Sequence, residues 1–228
     1  MMNIFRAKKH GAAALTAVLL LAAVAIESAD KQAVPAATKN TAPAVPARKP
    51  DVIYVPTPQT VVDKMLEMAA IKPGDVVYDL GCGDGRIVVT AAKKYGVKAL
   101  GFDINPERVA ESLANVRSNK VEHLVTIKQA DVFTLDLREA TVVTLYLLPA
   151  LNVRLMPQLE KLKPGSRIVS HDFDMRGAKP LEVHTMSVDD GGADEADYYE
   201  MEHTIYKWIV PWEKETVAST PTKSDSKQ

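Results

Sequence analysis

A short stretch rich in glycine and aspartate contains the residues best suited to chemistry. It covers residues 79–86, with the sequence Asp-Leu-Gly-Cys-Gly-Asp-Gly-Arg, and it follows an apolar run and precedes a segment with helical periodicity. Glycines let the backbone turn tightly and approach a ligand, and the first turn of the following helix offers unpaired N–H groups. The stretch therefore predicts a binding loop for a nucleotide-like ligand.

The spacing of the glycines restricts that ligand. A dinucleotide loop requires Gly-x-Gly-x-x-Gly, but counting from Gly81 places Arg86 at the last glycine position. A P-loop is excluded because no Gly-Lys-Ser or Gly-Lys-Thr follows. Asp79 and Asp84 would repel a pyrophosphate, whereas a zwitterionic amino acid that carries a sulfonium tolerates both acids. Asp79 is placed to meet the ammonium of such a ligand.

Two further acidic residues end the next two predicted strands. Asp103 ends the second strand, 18 residues after Gly85, and Asp131 follows the third strand. Three acids at three successive strand ends are more specific than one glycine loop. The alternative is that they are solvated strand-end acids beside a structural glycine turn.

Residues 79–87 resemble motif I of the class I methyltransferases that depend on S-adenosylmethionine (SAM). The resemblance implies SAM as the cofactor, with Asp103 on both ribose hydroxyls and Asp131 on the adenine amino group. No metal site is expected. The predicted cofactor-binding residues are Tyr54, Thr57, Asp79, Gly81, Gly83, Asp84, Gly85, Asp103 and Asp131.

Shorter motifs at 54–58 (Tyr-Val-Pro-Thr-Pro), 83–87 and 147–149 narrow the resemblance. They are similar to the mitochondrial protein-lysine methyltransferases that act on the ATP synthase c subunit and the adenine nucleotide translocase, together with their bacterial relatives. This resemblance covers residues 51–175. It implies methyl transfer to an amine, with a protein lysine as the leading acceptor. A small-molecule or lipid methyltransferase of the same fold and a non-catalytic SAM-binding protein remain as alternatives.

The end of the fourth predicted strand bears on the acceptor. Methyltransferases that act on planar amines usually carry Asn/Asp-Pro-Pro-Tyr/Phe here, but this chain has Tyr-Leu-Leu-Pro at 146–149. This difference argues against nucleobase or amide acceptors. Tyr146 and Asp172 are the candidate catalytic residues, and His171 lies beside them. Tyr146 could instead be a packed sheet residue, and Asp172 an ordinary loop acid.

The segment before the first helix has two interpretations. Tyr54 and Thr57 could fold over the methionine part of the cofactor, or they could only start that helix, with Thr57 as its cap and Pro58 as its first residue.

The elements that must position these residues alternate between helix and strand. Strands are predicted over 76–80, 99–103, 125–129, 141–148 and 167–172, with helices between most of them, and a further strand pair over 181–188 and 204–210. The pattern predicts an α/β fold: a doubly wound, mostly parallel seven-stranded sheet, Rossmann-like as in class I methyltransferases, with a C-terminal antiparallel strand pair.

The two ends of the chain differ from this domain. Residues 1–29 combine basic residues with an apolar run, which predicts a cleaved signal peptide or an uncleaved membrane anchor. Residues 30–50 read as an Ala/Pro-rich disordered linker, 51–212 as the methyltransferase domain and 213–228 as a disordered tail. We therefore expect the domain to be exported to the periplasm or held at the membrane, in tension with the cytoplasmic supply of SAM.

Charge and cysteine content exclude some functions. Residues 1–50 hold seven Lys and Arg and two acids, which leaves 21 basic and 27 acidic residues in the rest of the chain. No nucleic-acid partner is expected for so acidic a domain. The single cysteine, Cys82, excludes an intramolecular disulfide, and its place in the glycine loop indicates a small packed residue rather than a reactive thiol. The acidic run 189–202 is interpreted as a solvated loop or, alternatively, a surface for a cationic protein.

Overall fold

The computed structural model describes residues 49–189 and 200–215. The predicted signal or anchor segment, nearly all of the linker, residues 190–199 of the acidic run and most of the tail lie outside the described residues. Within the described ranges, no helix has the length and apolar character that crossing a membrane requires.

Helices and strands alternate along the first part of the domain. In the described ranges the α-helices are α1 (Gln59–Met68), α2 (Arg86–Tyr95), α3 (Pro106–Ser118) and α4 (Pro149–Leu159), with a short 3₁₀ helix at Val132–Thr134. The strands there are β1 (Val76–Leu80), β2 (Lys98–Asp103), β3 (Val125–Gln129), β4 (Val142–Leu145), β5 (Arg167–His171), β6 (Ala178–Lys179), β7 (Glu182–Asp189), β8 (Glu200–Ile209) and β9 (Glu213–Lys214).

Seven of the described strands form one sheet in the order β3-β2-β1-β4-β5-β8-β7. The strands β1 to β5 are parallel, whereas β8 pairs antiparallel with both β5 and β7. This confirms the predicted sheet and its closing antiparallel pair. Chain order reverses between β1 and β4, and ligands in such sheets bind outside the carboxyl ends of the strands at this point.

Both faces of the sheet are covered by apolar side chains. On one face, α1, α2 and α3 bury residues that include Val61, Met65, Val88 and Val116. On the other face, α4 buries Leu155 and Leu159 in a separate cluster. The arrangement is that of a doubly wound α/β domain, as predicted.

Two helix ends have the side chains or backbone conformations that usually end a helix, and the start of a third differs from its prediction. The side chain of Asn105 accepts a hydrogen bond from the N–H of Glu107 at the start of α3, and Gly96 ends α2 in a left-handed conformation. Thr57 is not the cap of α1, which begins at Gln59 after Pro58 and has no capping side-chain hydrogen bond. The hydroxyl of Thr57 is oriented towards the sheet instead, 3.2 Å from Nδ1 of His171.

Two boundaries differ from expectation because local signals compete there. β4 ends at Leu145 rather than at residue 148, because the chain turns and α4 starts at Pro149. Strand β9 pairs with β6, so Glu213 and Lys214, which the sequence assigned to a disordered tail, belong to the domain. Strands of two residues carry too little periodicity to be recognised in a sequence.

Candidate functional site

A cleft opens at the carboxyl edge of the sheet, where chain order reverses between β1 and β4. Its empty space, including the open mouth, is about 980 Å³, which is within the range of small-molecule sites. Its walls come from the segment before α1, the loop after β1, the ends of β2 and β4, and the 3₁₀ helix. The predicted site residues that line it are Tyr54, Thr57, Asp79, Gly81, Asp84, Asp103, Asp131 and Tyr146.

Gly83 and Gly85 shape the loop rather than the cleft wall. Both have positive φ, 54° and 77°. A Cβ on Gly83 would lie 2.2 Å from Cε2 of Tyr54, and one on Gly85 would lie 3.0 Å from Oγ of Ser112 in α3. Gly83 therefore permits the Tyr54 ring to lie against the loop, and Gly85 permits α2 to pack closely on α3.

Asp79 is almost fully buried at the base of the cleft. Its Oδ1 accepts a hydrogen bond of 2.7 Å from the hydroxyl of Thr144, whereas its Oδ2 has no hydrogen-bond partner among the described residues. Burial raises the pKa of Asp79 to about 7. A buried carboxylate oxygen without a donor is costly, and a ligand ammonium would supply both the donor and the opposite charge. The residue thus fits the amino-acid part of SAM.

Asp103 and Asp131 are anchored by backbone donors at the rim of the cleft. Asp103 accepts hydrogen bonds from the N–H groups of Gly83 at Oδ2, 3.0 Å, and of Asn105 at Oδ1, 2.8 Å. Asp131 accepts one from the N–H of Phe133, 3.0 Å. A carboxylate oxygen can accept more than one hydrogen bond, so these backbone contacts do not by themselves prevent a ligand contact. Their contacts with ribose and adenine stay predictions.

Asp84 lines the cleft and also makes an ion pair within the glycine loop. Its carboxylate is paired with the guanidinium of Arg86, with Nη2 2.7 Å from Oδ2 and Nε 3.0 Å from Oδ1. Burial alone would raise the pKa of Asp84, but the hydrogen bonds and charge of Arg86, with a hydrogen bond from Tyr54, together outweigh it and lower the pKa. Nη1 of the same guanidinium donates 2.7 Å to the carbonyl of Thr57. The pair therefore fastens the segment before α1 to the glycine loop.

Tyr54 lies over the glycine loop on that segment. The guanidinium carbon of Arg108 is 4.8 Å from the centre of its ring, and the side chain is about two-fifths exposed, at 38%. Burial raises the pKa of Tyr54, and the charge of Asp84 raises it further. The ring is thus held over the cleft by contacts on both sides, the geometry expected of a residue that covers a bound cofactor.

Cys82 is buried beneath the loop. Burial raises the pKa of its thiol strongly, and its sulfur lies 3.6 Å from Oγ of Ser112. A thiol that stays protonated is not a nucleophile, which supports the interpretation of Cys82 as a packing residue.

A second group of polar side chains lies behind the cleft wall at the end of β5. His171 and His203 are buried, and Nε2 of His171 is 2.9 Å from Nδ1 of His203. Oδ2 of Asp172 is 3.2 Å from each of these nitrogens, and the hydroxyl of Tyr146 is 3.5 Å from the same oxygen. The structure thus brings together the two predicted catalytic residues, although among them only Tyr146 lines the cleft.

His203 was not identified from the sequence. It lies on β8, where Asp172 also bonds to Thr204, with its N–H donating to the Thr204 carbonyl at 2.6 Å and its Oδ1 accepting from the Thr204 N–H at 2.9 Å. Asp172 adopts a left-handed conformation with φ 56°. The signal would have been a last antiparallel strand that begins at or before residue 203, opposite the end of β5. The predicted strand started at Thr204, one residue later.

Known proteins resemble this chain over the described domain. A model of the ANTKMT methyltransferase domain matches residues 79–182. A protein of Saccharolobus islandicus named protein-lysine N-methyltransferase is 50% identical over 71% of this chain and 95% of its own length. A Xenopus laevis protein, named as a lysine N-methyltransferase of the ATP synthase c subunit, is 32% identical over 67% of this chain and 66% of that protein.

A solved structure extends the comparison to three dimensions. An RNA methyltransferase from Salinibacter ruber, crystallised with S-adenosyl-L-homocysteine, is 45% identical, with a TM-score of 0.59 over 69% of this chain and 94% of that one. The matched fold, the matched family model and the relative from Saccharolobus islandicus agree with one another. This chain belongs to the ANTKMT family of class I methyltransferases.

Proposed function

We propose that this protein binds SAM and transfers its methyl group to an amine, the side chain of a protein lysine. The observation that carries the donor half is the buried, unpartnered Oδ2 of Asp79 in the cleft. The acceptor half rests on the relative named protein-lysine N-methyltransferase, which is 50% identical and almost fully covered.

Different residues of the cleft bind different parts of the cofactor. When bound, SAM supplies an electrophilic methyl group on a positively charged sulfonium. Asp79 receives its ammonium, Asp103 its ribose hydroxyls and Asp131 its adenine amino group, while Tyr54 covers the amino-acid part. Backbone hydrogen bonds from the N–H groups of Gly81 and Cys82 to the carbonyl of Phe102, 2.8 and 2.9 Å, attach the start of the loop to β2.

The acceptor side must align an amine and remove a proton from it. Methyl transfer is an in-line displacement, so positioning supplies much of the rate. A lysine has a reference pKa of about 10.4, and only its neutral form carries the lone pair that attacks. Tyr146 on the cleft wall, with Asp172 behind it, offers oxygens that can guide an amine.

The test combines binding with product analysis. Calorimetric titration with SAM and with S-adenosylhomocysteine measures the cofactor site, and tritiated methyl transfer to lysate proteins, followed by acid hydrolysis, identifies the modified amino acid. Methyl-lysine is the expected product, and Asp79→Asn is the matched control, which should label less at limiting SAM because its SAM affinity is lower. Label in the organic phase would contradict the protein acceptor, and binding without transfer would identify a non-catalytic SAM-binding protein.

A second candidate acceptor is RNA, because the relative from Salinibacter ruber is named an RNA methyltransferase. Two features favour the lysine acceptor. The end of β4 lacks the Asn/Asp-Pro-Pro-Tyr/Phe sequence that holds planar base amines, and the chain after residue 50 has 27 acids against 21 basic residues. Incubation with total RNA decides the matter: label that ribonuclease releases would replace the lysine assignment.

The location of the reaction is a separate proposal that rests on residues 1–29. We propose that this segment exports the domain to the periplasm or anchors it to the membrane. Fractionation of cells with N-terminal sequencing of the mature protein tests it. A full-length protein in the cytosolic fraction would contradict export and would remove the conflict with cytoplasmic SAM.

A further inference from the structure

The two buried histidines and Asp172 form a triangle of three atoms that can each carry a lone pair. We call Nε2 of His171, Oδ2 of Asp172 and Nδ1 of His203 the His–Asp–His triangle. Its edges are 2.9, 3.2 and 3.2 Å. The side chains of His171 and His203 are 0% and 6% exposed, and that of Asp172 is 25% exposed. Two nitrogens at hydrogen-bond distance are therefore closed off from water, and the carboxylate connects them to the surface.

The surroundings determine where the protons lie. Nε2 of His203 is buried with no partner among the described residues, and a buried N–H without an acceptor costs about 1–3 kcal/mol. The proton of a neutral His203 therefore sits on Nδ1, inside the triangle. Nε2 of His171, 2.9 Å away, must then be the acceptor, and Nδ1 of His171 donates to the hydroxyl of Thr57, 3.2 Å away.

This arrangement leaves room for a second proton in the triangle. When the N–H of His203 is aimed at Asp172, the lone pair on Nε2 of His171 has no donor, and when it is aimed at His171, Oδ2 of Asp172 is left with the hydroxyl of Tyr146, 3.5 Å away. A second proton can be placed on Nε2 of His171 and donated to Asp172. Burial lowers the pKa of His171 to about 4, with the charge of Asp172 acting in the opposite direction, so the ring is neutral at pH 7 and would hold a second proton only in passing.

The triangle touches the cleft at two points. The ring of Tyr146 lies against His171, with centroids 3.9 Å apart, and its hydroxyl is 3.5 Å from Oδ2 of Asp172. Thr57, at the other end of the chain of contacts, also lines the cleft. A line of polar atoms thus runs from one cleft hydroxyl, through the triangle, to another.

We propose that the His–Asp–His triangle receives the proton that the acceptor amine must lose, with Tyr146 and Asp172 as the route from the cleft. The proposal rests on the proposed amine methylation. The acceptor ammonium gives one proton to the triangle, and the freed lone pair forms the new C–N bond as the methyl–sulfur bond breaks with its electrons left on sulfur. The product keeps one positive charge, and the released proton leaves through Asp172.

Other titratable groups contribute to the electrostatic potential around the His–Asp–His triangle. Tyr146 approaches it from the loop after β4 and Tyr206 from β8, and Asp174 follows it on the chain. Burial raises the pKa of Tyr206, and the charges of Asp174 and Asp172 raise it further. The surroundings described are thus acidic, which favours an amine over a phosphate or a hydroxyl acceptor at this wall.

The kinetic test uses the full chain, tritiated SAM and poly-L-lysine as the probe acceptor. For His203→Gln we expect kcat at pH 7 to fall about 100-fold, within the usual range for a lost acid–base group. The deficit should shrink about tenfold for each pH unit towards the lysine reference pKa of about 10.4, because solvent then removes the proton. A purely structural defect would not recover in this way. His184→Gln, a partly buried histidine on β7, is the matched control and should keep the wild-type profile.

A readout without turnover tests the same proton arrangement. Long-range ¹H–¹⁵N spectra of wild-type protein labelled in histidine should show His203 and His171 both protonated at Nδ1. A proton on Nε2 of His203 would overturn the proposal, whether or not the variants fold. Asp172→Asn, which removes the route, should lower kcat at neutral pH at least as far as His203→Gln does.

The outcomes separate this proposal from the proposed function. If the wild-type protein labels neither poly-L-lysine nor lysate proteins, the proposed lysine methylation itself is contradicted. If the wild-type protein is active, and His203→Gln has either wild-type activity or a loss of kcat that does not vary with pH, only the proposal for the triangle is contradicted. Activity that EDTA abolishes and zinc chloride restores, with zinc binding lost in His203→Gln, would replace the proton acceptor with a metal site formed by the same three atoms.

Discussion

Strands β1 and β5 have buried polar or charged side chains at both of their ends. At one end these side chains complete their hydrogen bonds, and at the other end they do not. At the amino edge of the sheet, Asp75 precedes β1 and Arg167 starts β5, and their side chains form a bidentate ion pair through Nη1 and Nη2. Asp75 also accepts from the N–H of Lys72, 2.9 Å, and the hydroxyl of Thr141, 2.7 Å. The guanidinium donates further to the carbonyl of Ala69, 2.9 Å.

At the carboxyl edge of the same strands, the buried polar atoms are left incomplete. Oδ2 of Asp79 on β1 has no partner in the described part of the chain, and neither does Nε2 of His203 beside His171 of β5. Burial is similar at both edges, so burial does not distinguish them. The complete network is a structural pair, whereas the incomplete ones lie where we propose that a ligand or a proton arrives.

The largest effect should follow from breaking the complete pair. Arg167→Met leaves Asp75 buried without its main partner, and we expect the free energy of unfolding to fall by about 3–5 kcal/mol, as measured by urea denaturation. SAM affinity of the folded protein should stay unchanged, because the amino edge is far from the cleft in the sheet. Lys94→Met, which breaks the exposed pair with Asp63, is the control and should leave the free energy of unfolding nearly unchanged, because exposed ion pairs contribute little. An equal loss in both variants would contradict a special role for the amino edge.

At the carboxyl edge, a substitution should lower SAM affinity, which the substitution at the amino edge leaves unchanged. Asp79→Asn removes the buried charge, and we expect SAM affinity to fall by about 2–3 kcal/mol, roughly 30- to 150-fold, in calorimetric titration. The exposed replacement Asp63→Asn should bind as the wild type does. Unchanged affinity in Asp79→Asn would refute the assignment of this residue to the ammonium.

The pH dependence of stability distinguishes Asp79 from Asp75. Native Asp79, with a pKa of about 7, keeps a proton that the unfolded chain releases near its ordinary value, so the free energy of unfolding falls as pH rises between these values, by up to about 4 kcal/mol. This fall should be absent in Asp79→Asn. For Asp75 burial would raise the pKa, but the hydrogen bonds from Arg167, Lys72 and Thr141 together outweigh it and lower the pKa. Its contribution is therefore present above the ordinary value and lost as pH falls below it.

Asp103 is an intermediate case, because it lies at the carboxyl edge but has two backbone partners. In Asp103→Asn the amide nitrogen must face the N–H of Gly83 or of Asn105, so one hydrogen bond is lost. We expect a loss of about 1–2 kcal/mol in unfolding free energy and roughly tenfold weaker SAM binding. A variant that loses neither would show that Asp103 is only a solvated acid at the end of a strand.

The carboxyl edge was more predictable from the sequence than the amino edge. The glycine loop with Asp79, Asp103 and Asp131 could be located because these residues follow strands with clear apolar patterns. Arg167 was assigned only as the first residue of a strand, since its pairing with Asp75 spans 92 positions and no local pattern records it.

The same limit explains what was missed within the site. Asp84 was predicted as a ligand contact and lines the cleft, but its pairing with Arg86 two residues later was not predicted, because it depends on rotamers, which spacing alone does not decide. His203 depends on the register of an antiparallel strand against β5, and register is fixed by packing across the sheet. Sequence patterns thus predicted which strand ends lie together at the site. The structure was needed to show which polar atoms there lack a hydrogen-bond partner.

The smallest expected effect compares two glycines at the two edges. Gly74 precedes β1 at the amino edge and Gly83 lies in the cleft loop, with φ 89° and 54°. Alanine at either position should cost about 1 kcal/mol from backbone strain alone, measured by thermal unfolding. A Cβ on Gly74 meets nothing within 4 Å, whereas one on Gly83 must displace the ring of Tyr54. SAM binding should therefore weaken in Gly83→Ala and not in Gly74→Ala. If both variants bind SAM equally well, Tyr54 does not cover the cofactor, and the difference between the edges rests on the buried charges alone.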